Sequence, residues 1–387
     1  SMGAANHHRV PVAREALRAQ MDVVERWAYL DHAAVAPITR PARQAMAQWI
    51  EEIATEGDTL WPQWSRQVGA ARETAAQLIG ADADEIALVT STTAGINLVA
   101  EGLDWRQGDN VVTLEDEFPS NLYPWMHLRD LGVETRRAPT GEGHVDYDQL
   151  AELCDHRTRV ITVSWVGYAN GCRRDLAILC DIAARRDALL FVDAIQGLGA
   201  FPLDVRATPI DFLAADSHKW LLGPEGAGIA YLRRDRLPLL RATGVGWNSV
   251  VQGSDYGRIE LNLRNNAARY EGGAKNIGGL IGMGASMELL ARVGIDRIAE
   301  SILEVTDFAG ARLAESGYHI VSPRDEGHAS GILSIELPGV DVAAVRRHCL
   351  DQGVALAYRA GRLRISPHAY NDHEDIERFI AALRSFA

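Results

Sequence analysis

Residues 188–196 of the chain read ALLFVDAIQ. The apolar run Ala188 to Val192 has no polar face to offer to water, so a strand here must be covered on both sides. That is the pattern of a parallel sheet between layers of helix, whereas a half-exposed strand alternates apolar and polar residues. The run stops at Asp193, a carboxylate placed where a strand ends.

Reading outward, the same unit recurs. Upstream lies a helical pattern, DLAILCDIAARRD at 175–187, and before it the strand RVITVSWV at 159–166. Further back, EIALVTS (85–91) and NVVTLEDE (110–117) read as strands, each followed by a helical pattern, AGINLVAEGL (94–103) and NLYPWMHLRDLG (121–132). Strands alternating with helices imply right-handed crossovers and an α/β fold with a mostly parallel sheet. After DFLAADSHKW (211–220) and GAGIAYLRR (226–234) the alternation lapses. A long helical pattern starts near Gly278 and is interrupted at Gly294, and the remainder, including GILSIELPG and DHEDIERFIAALRS, reads as a smaller α+β unit. The predicted organisation is an N-terminal segment, 1–28, packing on the small domain, a large α/β domain at 29–270, and a small C-terminal α+β domain at 271–387.

Composition narrows the function. With 47% hydrophobic and 24% charged residues, the chain is ordinary globular material. A formal charge of −13 argues against a protein that coats nucleic acid or an anionic membrane. No apolar stretch approaches the roughly 20 residues that cross a bilayer. The start shows no charged segment leading into an apolar one, and the cysteines, Cys154, Cys172, Cys180 and Cys349, have no CxxC spacing. The expectation is a cytoplasmic enzyme with no nucleic-acid or membrane partner. His368 and His373 read as surface histidines with no converging ligands, so no metal is expected.

In an open parallel sheet the ligand sits outside the carboxyl ends of the strands. Here those ends carry Thr90 to Thr93, Glu117 to Asn121, Trp165 to Asn170, Asp193 to Gln196 and Asp216 to Lys219. Hydroxyls and backbone N–H groups where STTAG opens a helix suit a phosphate, although they serve equally as plain helix caps. Asp193 needs a cationic partner, for which a protonated heterocyclic nitrogen would serve. Lys219 is one of only two lysines in a chain that otherwise uses arginine. An amine can lose its proton and act as a nucleophile, whereas a guanidinium effectively cannot.

The set STTAGIN, EDEFPSN, VDAIQ, DSHKWLLGPEGAGIAY, RYEGGAKNIGGLIGMGAS and RLRISPHAYN resembles the class V aminotransferase family of fold type I pyridoxal 5'-phosphate (PLP) enzymes, whose members include cysteine desulfurases, kynureninases and isopenicillin epimerase-like proteins. The resemblance runs from Tyr29 to near the C-terminus. It implies that Lys219 is the catalytic lysine, joined to the cofactor as an internal aldimine. By the same resemblance Asp193 pairs with the pyridine nitrogen, Gln196 meets the ring hydroxyl, and Thr92, Thr93, Ser217 and His218 hold the phosphate. Phe118 would stack on the ring, Arg364 would clamp the substrate carboxylate, and His32, Tyr168 and Asn170 would stand near the substrate. A homodimer acting on a small amino acid is implied as well.

The sequence also departs from those relatives. Desulfurases carry a cysteine on a loop shortly before the clamping arginine, but VALAYRAGRLRIS (354–366) has none, which argues against persulfide formation on the protein. Ala274 stands where relatives often have a threonine reaching the phosphate, leaving Gly272, Gly273 or Lys275 to complete that clamp. Tyr168 and Trp165 replace the asparagine and histidine of desulfurases. The leading expectation is aminotransfer; C–S or C–C lyase and epimerase chemistry share its early steps, and a non-catalytic PLP-binding protein would have no need of Arg364. A nicotinamide dehydrogenase would require GxGxxG after a strand, and GLIGMGAS follows the polar YEGGAKN instead.

Overall fold

The computed structural model describes residues 2–386. Eight strands come first: β1 (Ala28–Tyr29), β2 (Ile86–Val89), β3 (Asn110–Leu114), β4 (Glu134–Ala138), β5 (Thr158–Ser164), β6 (Leu189–Asp193), β7 (Phe212–Asp216) and β8 (Gly228–Leu232). Seven of them form the central sheet in the order β2-β8-β7-β6-β5-β3-β4. Its strands run parallel except β8, which is antiparallel to both β7 and β2. Strand alternation alone did not reveal that reversal. A parallel return needs roughly a dozen or more residues of crossover, and the 217–227 connection is too short to provide one.

The opening stretch is covered on both faces, as its composition requires. Leu190 and Val192 pack into one apolar cluster with Ile161, Leu213 and Leu179. Phe191 points the other way, into a cluster with Val160, Phe212 and Trp125. The helix Thr92–Ala100 lies directly on β7: a Cβ on Gly95 would stand 2.6 Å from the Cβ of Ala214. Only glycine lets that helix settle so close, which brings its N-terminus to the carboxyl end of the sheet.

The small domain is built on β9 (His319–Ile320), β10 (Leu333–Glu336), β11 (Val354–Ala355), β12 (Ala357–Arg359) and β13 (Arg362–Ile365). Four of these make an antiparallel sheet, β12-β13-β10-β9, while β11 pairs in parallel with β1. The boundary expected at 270 shifts. Helix Ile277–Val293 packs against helices Arg40–Glu56 and Trp61–Ile79 and contributes Leu280, Met283, Met287 and Leu290 to the large core. It is apolar nearly all round, so its periodicity carried no sign of which body it belonged to. Helix Ile295–Glu315 follows, after Gly294 breaks the helix at φ 99°, and spans both bodies: Ile298 and Ile302 join the large core, Val305, Ala309 and Leu313 the small one. Helix Met2–Arg18 lies along it, with Arg14 bonded to Ser301 and Glu304, and Arg18 to Tyr370 and Asp375. No helix among the described residues is long and apolar enough to cross a membrane.

Candidate active site

A cavity of about 310 Å³ opens at the carboxyl ends of the central strands, where the small domain meets the large one. Of the residues singled out in the sequence, Thr92, Thr93, Phe118, Tyr168, Asp193, Gln196, His218, Lys219 and Arg364 line it. Ser217, His32 and Asn170 do not.

At the floor lies Asp193, 2% exposed. Its one hydrogen bond is from the Ile195 N–H, at 3.2 Å to Oδ1, so the carboxylate keeps acceptor capacity. Burial pushes its pKa up to about 7, and the neighbouring Glu117 carboxylate adds to the shift. Glu117 is itself fully buried, held by the backbone and hydroxyl of Ser164 and by Asn121. Glu117 is compensated by those donors and by the Arg174 charge, whereas the Asp193 carboxylate, closed off from water with one donor, calls for a cation on the cavity side. Lys219 stands in the β7–β8 connection, its Nζ 5.7 Å from the Phe118 ring centroid. Burial, reinforced by the Arg364 charge, lowers its amine to about 8, while Asp193 and Asp216 oppose the fall. A considerable fraction of the free amine is therefore neutral near physiological pH. Gln196 is held on both sides, donating to the Ala33 carbonyl at 3.1 Å and accepting from Trp220 Nε1 at 2.8 Å.

The other end of the cavity is formed by the start of helix Thr92–Ala100. Asp216 accepts from the backbone and hydroxyl of Thr92 at 3.0 and 3.1 Å, which ties β7 to the helix and commits the Thr92 side chain. Thr93 donates to Ser120 at 2.9 Å, and His218 keeps a buried Nδ1 without a hydrogen-bond partner, 3.9 Å from Asp216 Oδ1. Ser217, expected beside a phosphate, is fully buried with its Oγ donating to the Pro224 carbonyl; it shapes the lysine-bearing turn instead. Gly272, Gly273, Ala274 and Lys275 line a separate hollow with Thr90 and Ala94, and Lys275 lies 3.6 Å from Glu271. Within one chain they do not complete the clamp.

At the substrate end, Arg364 is 1% exposed. Its Nη1 donates to the Tyr168 carbonyl at 2.7 Å, while Nε and Nη2 are buried without partners. Asp31 Oδ1, also unpartnered, is 4.0 Å from Nη2. A buried guanidinium with two free donors is a ready receptor for a carboxylate. His32 turns away from the cavity. Its Nδ1 meets the Ser366 carbonyl at 2.8 Å, and because a carbonyl only accepts, Nδ1 carries the proton and Nε2 accepts from the Tyr370 hydroxyl at 2.6 Å. Burial keeps that ring neutral. Asn170 braces the turn after β5, accepting from the Cys172 N–H at 3.0 Å. His368, expected at the surface, is fully buried; its Nδ1 accepts from the Ala369 N–H, so Nε2 donates to the Trp220 carbonyl at 2.9 Å beside Lys219.

The residue that sequence reading passed over is Arg359, which lines the cavity with Arg364. The signal was in the string AYRAGRLRI, where two arginines at matching positions flank a turn.

No cysteine lines the cavity. All four are buried, and burial pushes the thiol of Cys349 up to about 11 and that of Cys180 to about 12. Among the described residues no cluster of His, Cys, Asp and Glu is arranged to hold a metal. The PLP implied by the sequence resemblance does fit this cavity: Asp193 has acceptor capacity for a ring N–H, Phe118 and Lys219 flank the middle, and a helix N-terminus, Thr93 and the orphaned His218 nitrogen suit a phosphate.

The class-V aminotransferase family model matches residues 28–379. A probable cysteine desulfurase of Methanothermobacter thermautotrophicus is 33% identical over 395 aligned residues, covering 96% of this chain and 98% of that protein. An uncharacterized aminotransferase of Bacillus subtilis, YcbU, is 26% identical over 89% of this chain and 90% of its own. Among solved structures, the apo cysteine desulfurase of Thermococcus onnurineus superimposes with a TM-score of 0.87 at 25% identity, covering 95% of this chain and 96% of that one. The C-DES protein with glycine covalently linked to its PLP cofactor gives 0.90 at 22% identity, covering 96% and 99%. The architecture is therefore that of the fold type I PLP enzymes.

Proposed function

The chain belongs to the aminotransferase class-V family and takes PLP as its cofactor, and from that premise we propose that it is a carbon–sulfur lyase acting on free amino acids with a sulfur substituent at the β-carbon. The observation that carries the reading is a cavity that gathers Lys219, Asp193 and Arg364 but contains no cysteine. The desulfurase relative points to C–S cleavage, and without a thiol at the site the sulfur leaves on the product rather than on the protein. The balanced reaction takes R–S–CH₂–CH(NH₃⁺)–COO⁻ and water to R–SH, pyruvate and ammonium.

When bound, PLP supplies the electron sink that stabilises negative charge developing at the substrate's α-carbon. Asp193 and the phosphate-end groups would hold it. Arg364 binds the substrate carboxylate and so fixes the α-carbon, while Phe118 and Tyr168, whose rings meet edge to face at 5.3 Å, cover the cavity against water. The Lys219 amine, whose hold on its proton is weakened by burial and by the Arg364 charge, takes the α-proton in its neutral form and can return a proton later.

Aminotransfer, the first expectation from sequence, is the second reading, favoured by the likeness to YcbU. Incubation of the PLP-loaded enzyme with S-substituted cysteines and no keto acid separates the two. Pyruvate and free thiol in equal amounts support the lyase. Cofactor converted to pyridoxamine phosphate, with no thiol released, refutes it in favour of aminotransfer. The reading includes the homodimer implied by the family. Tyr256, Ile259 and Leu261, at 71%, 89% and 79% exposure, offer an apolar surface to a second copy, and sedimentation of the enzyme at micromolar concentration checks it.

A further inference from the structure

Strands β12 and β13 form a hairpin with Ala357 opposite Arg364 and Arg359 opposite Arg362. Its two-residue turn, Ala360-Gly361, has φ of 52° and 74°. Positive φ at both turn positions is the tight hairpin geometry that matches strand twist, so the arm is short and its register is fixed. By the pleat, cross-strand partners and residues two apart share a face, which puts Arg359, Arg362 and Arg364 on one side.

The three arginines have different surroundings. Arg362 lies 3.6 Å from Glu336. Arg364 is anchored to the Tyr168 carbonyl with two donors free and has Asp31 near it. Arg359 lines the cavity, enters no ion pair among the described residues, and makes one side-chain hydrogen bond, to the adjacent Tyr358 carbonyl. The carboxylates that line the cavity, Asp193 and Asp216, are at the cofactor floor and the helix start, and Asp216 is already committed to Thr92. Asp31 is not part of the lining; it sits 4.0 Å from Arg364 and also feels the Arg359 charge, so one carboxylate faces two guanidinium groups. The substrate end therefore holds two guanidinium groups, of which an α-carboxylate engages one.

We propose that the substrate carries a second carboxylate on its side chain and that Arg359 is the residue that selects it. This deepens the lyase reading and rests on it for the amino-acid part. The chemistry that fits is a cysteine thioether or disulfide ending in a carboxylate. A planar, always-charged donor fork suits that group, and a neutral side-chain end would leave Arg359 facing the cavity without a direct ion pair.

The test compares S-carboxymethylcysteine with its amide, S-carbamoylmethylcysteine, which differ in charge but hardly in shape. Binding to the PLP-loaded enzyme is followed by the change in the bound cofactor's visible absorbance, in wild type, Arg359→Gln and Arg359→Lys. In parallel, glutarate and its monoamide, which have no amino group to react, are titrated calorimetrically. The acid should bind about tenfold or more tightly than the amide in wild type. Arg359→Gln should erase that preference by weakening the acid alone, and Arg359→Lys should keep most of it. Equal binding of acid and amide by wild type, or equal weakening of both in Arg359→Gln, overturns the proposal. If no amino acid perturbs the absorbance, the lyase reading fails, and the glutarate pair still decides the role of Arg359.

Discussion

Replacing Arg364 with lysine keeps the positive charge and removes the planar fork. In the structure the guanidinium spends Nη1 on the Tyr168 carbonyl, at 2.7 Å, and has Nε and Nη2 left for the substrate. A lysine ammonium is a point donor on a flexible stem. It cannot hold the Tyr168 carbonyl and present two parallel donors to a carboxylate at once. At least one charge-assisted hydrogen bond is lost, about 1.5–3 kcal/mol, or about a 10- to 150-fold fall in kcat/KM. Because the carboxylate is bound before and during reaction alike, most of the loss should appear as a higher KM. The assay is steady-state thiol release from S-substituted cysteines, paired with binding of the matching cysteamine derivatives, which lack the carboxylate. The substitution should leave the cysteamine derivatives nearly unaffected. An equal loss for both series would mean that Arg364 only holds the hairpin against Tyr168, and the clamp assignment would fall.

Other outcomes follow from the same structure. Capture of PLP by the apoenzyme needs the neutral Lys219 amine, so its rate should rise with pH and level off above about 8 rather than near the ordinary lysine value of 10.5. Arg364→Gln removes a charge that disfavours the ammonium, so the midpoint should move to higher pH; an unmoved midpoint would refute the coupling. Gly95→Ala drives a methyl into Ala214, 2.6 Å away, and should cost about 1–3 kcal/mol in urea unfolding while loosening PLP retention. Cys349→Ala should leave thiol release unchanged at a stability cost of about 1 kcal/mol; lost activity would restore a persulfide route.

Much of this architecture was legible because burial writes itself into composition. A strand covered on both faces must be apolar throughout, and Leu190, Phe191 and Val192 are; a carboxylate closing such a strand must have a function, and Asp193 forms the cavity floor. Hydroxyls were harder to read. Thr92, Thr93 and Ser217 all have the residue type that binds phosphate, yet Ser217 turns inward to Pro224 and Thr92 is held by Asp216. Residue type names the groups able to donate, and only the packing shows which of them are already engaged. Helix 277–293 illustrates the same limit in the core: apolar and buried over most of its surface, with only Glu288, Ala291 and Arg292 exposed near its end, it lacks the one-sided stripe that would have told which body it joined.

Arg359 escaped for the opposite reason, because single arginines are so common here that one more carried no contrast. Its meaning is relational. Three arginines share one hairpin face, Arg362 lies opposite Glu336, and Arg364 takes the buried place beside Asp31 and Tyr168. Arg359 looks into the cavity and forms no ion pair among the described residues. The tight Ala360-Gly361 turn fixes this arrangement, and the sequence resemblance puts the cysteine loop of desulfurases in this same stretch. On these readings, one short hairpin borders a cavity without a cysteine and adds a second positive charge to it, so the lyase proposal and the acidic-substrate proposal have a common structural origin.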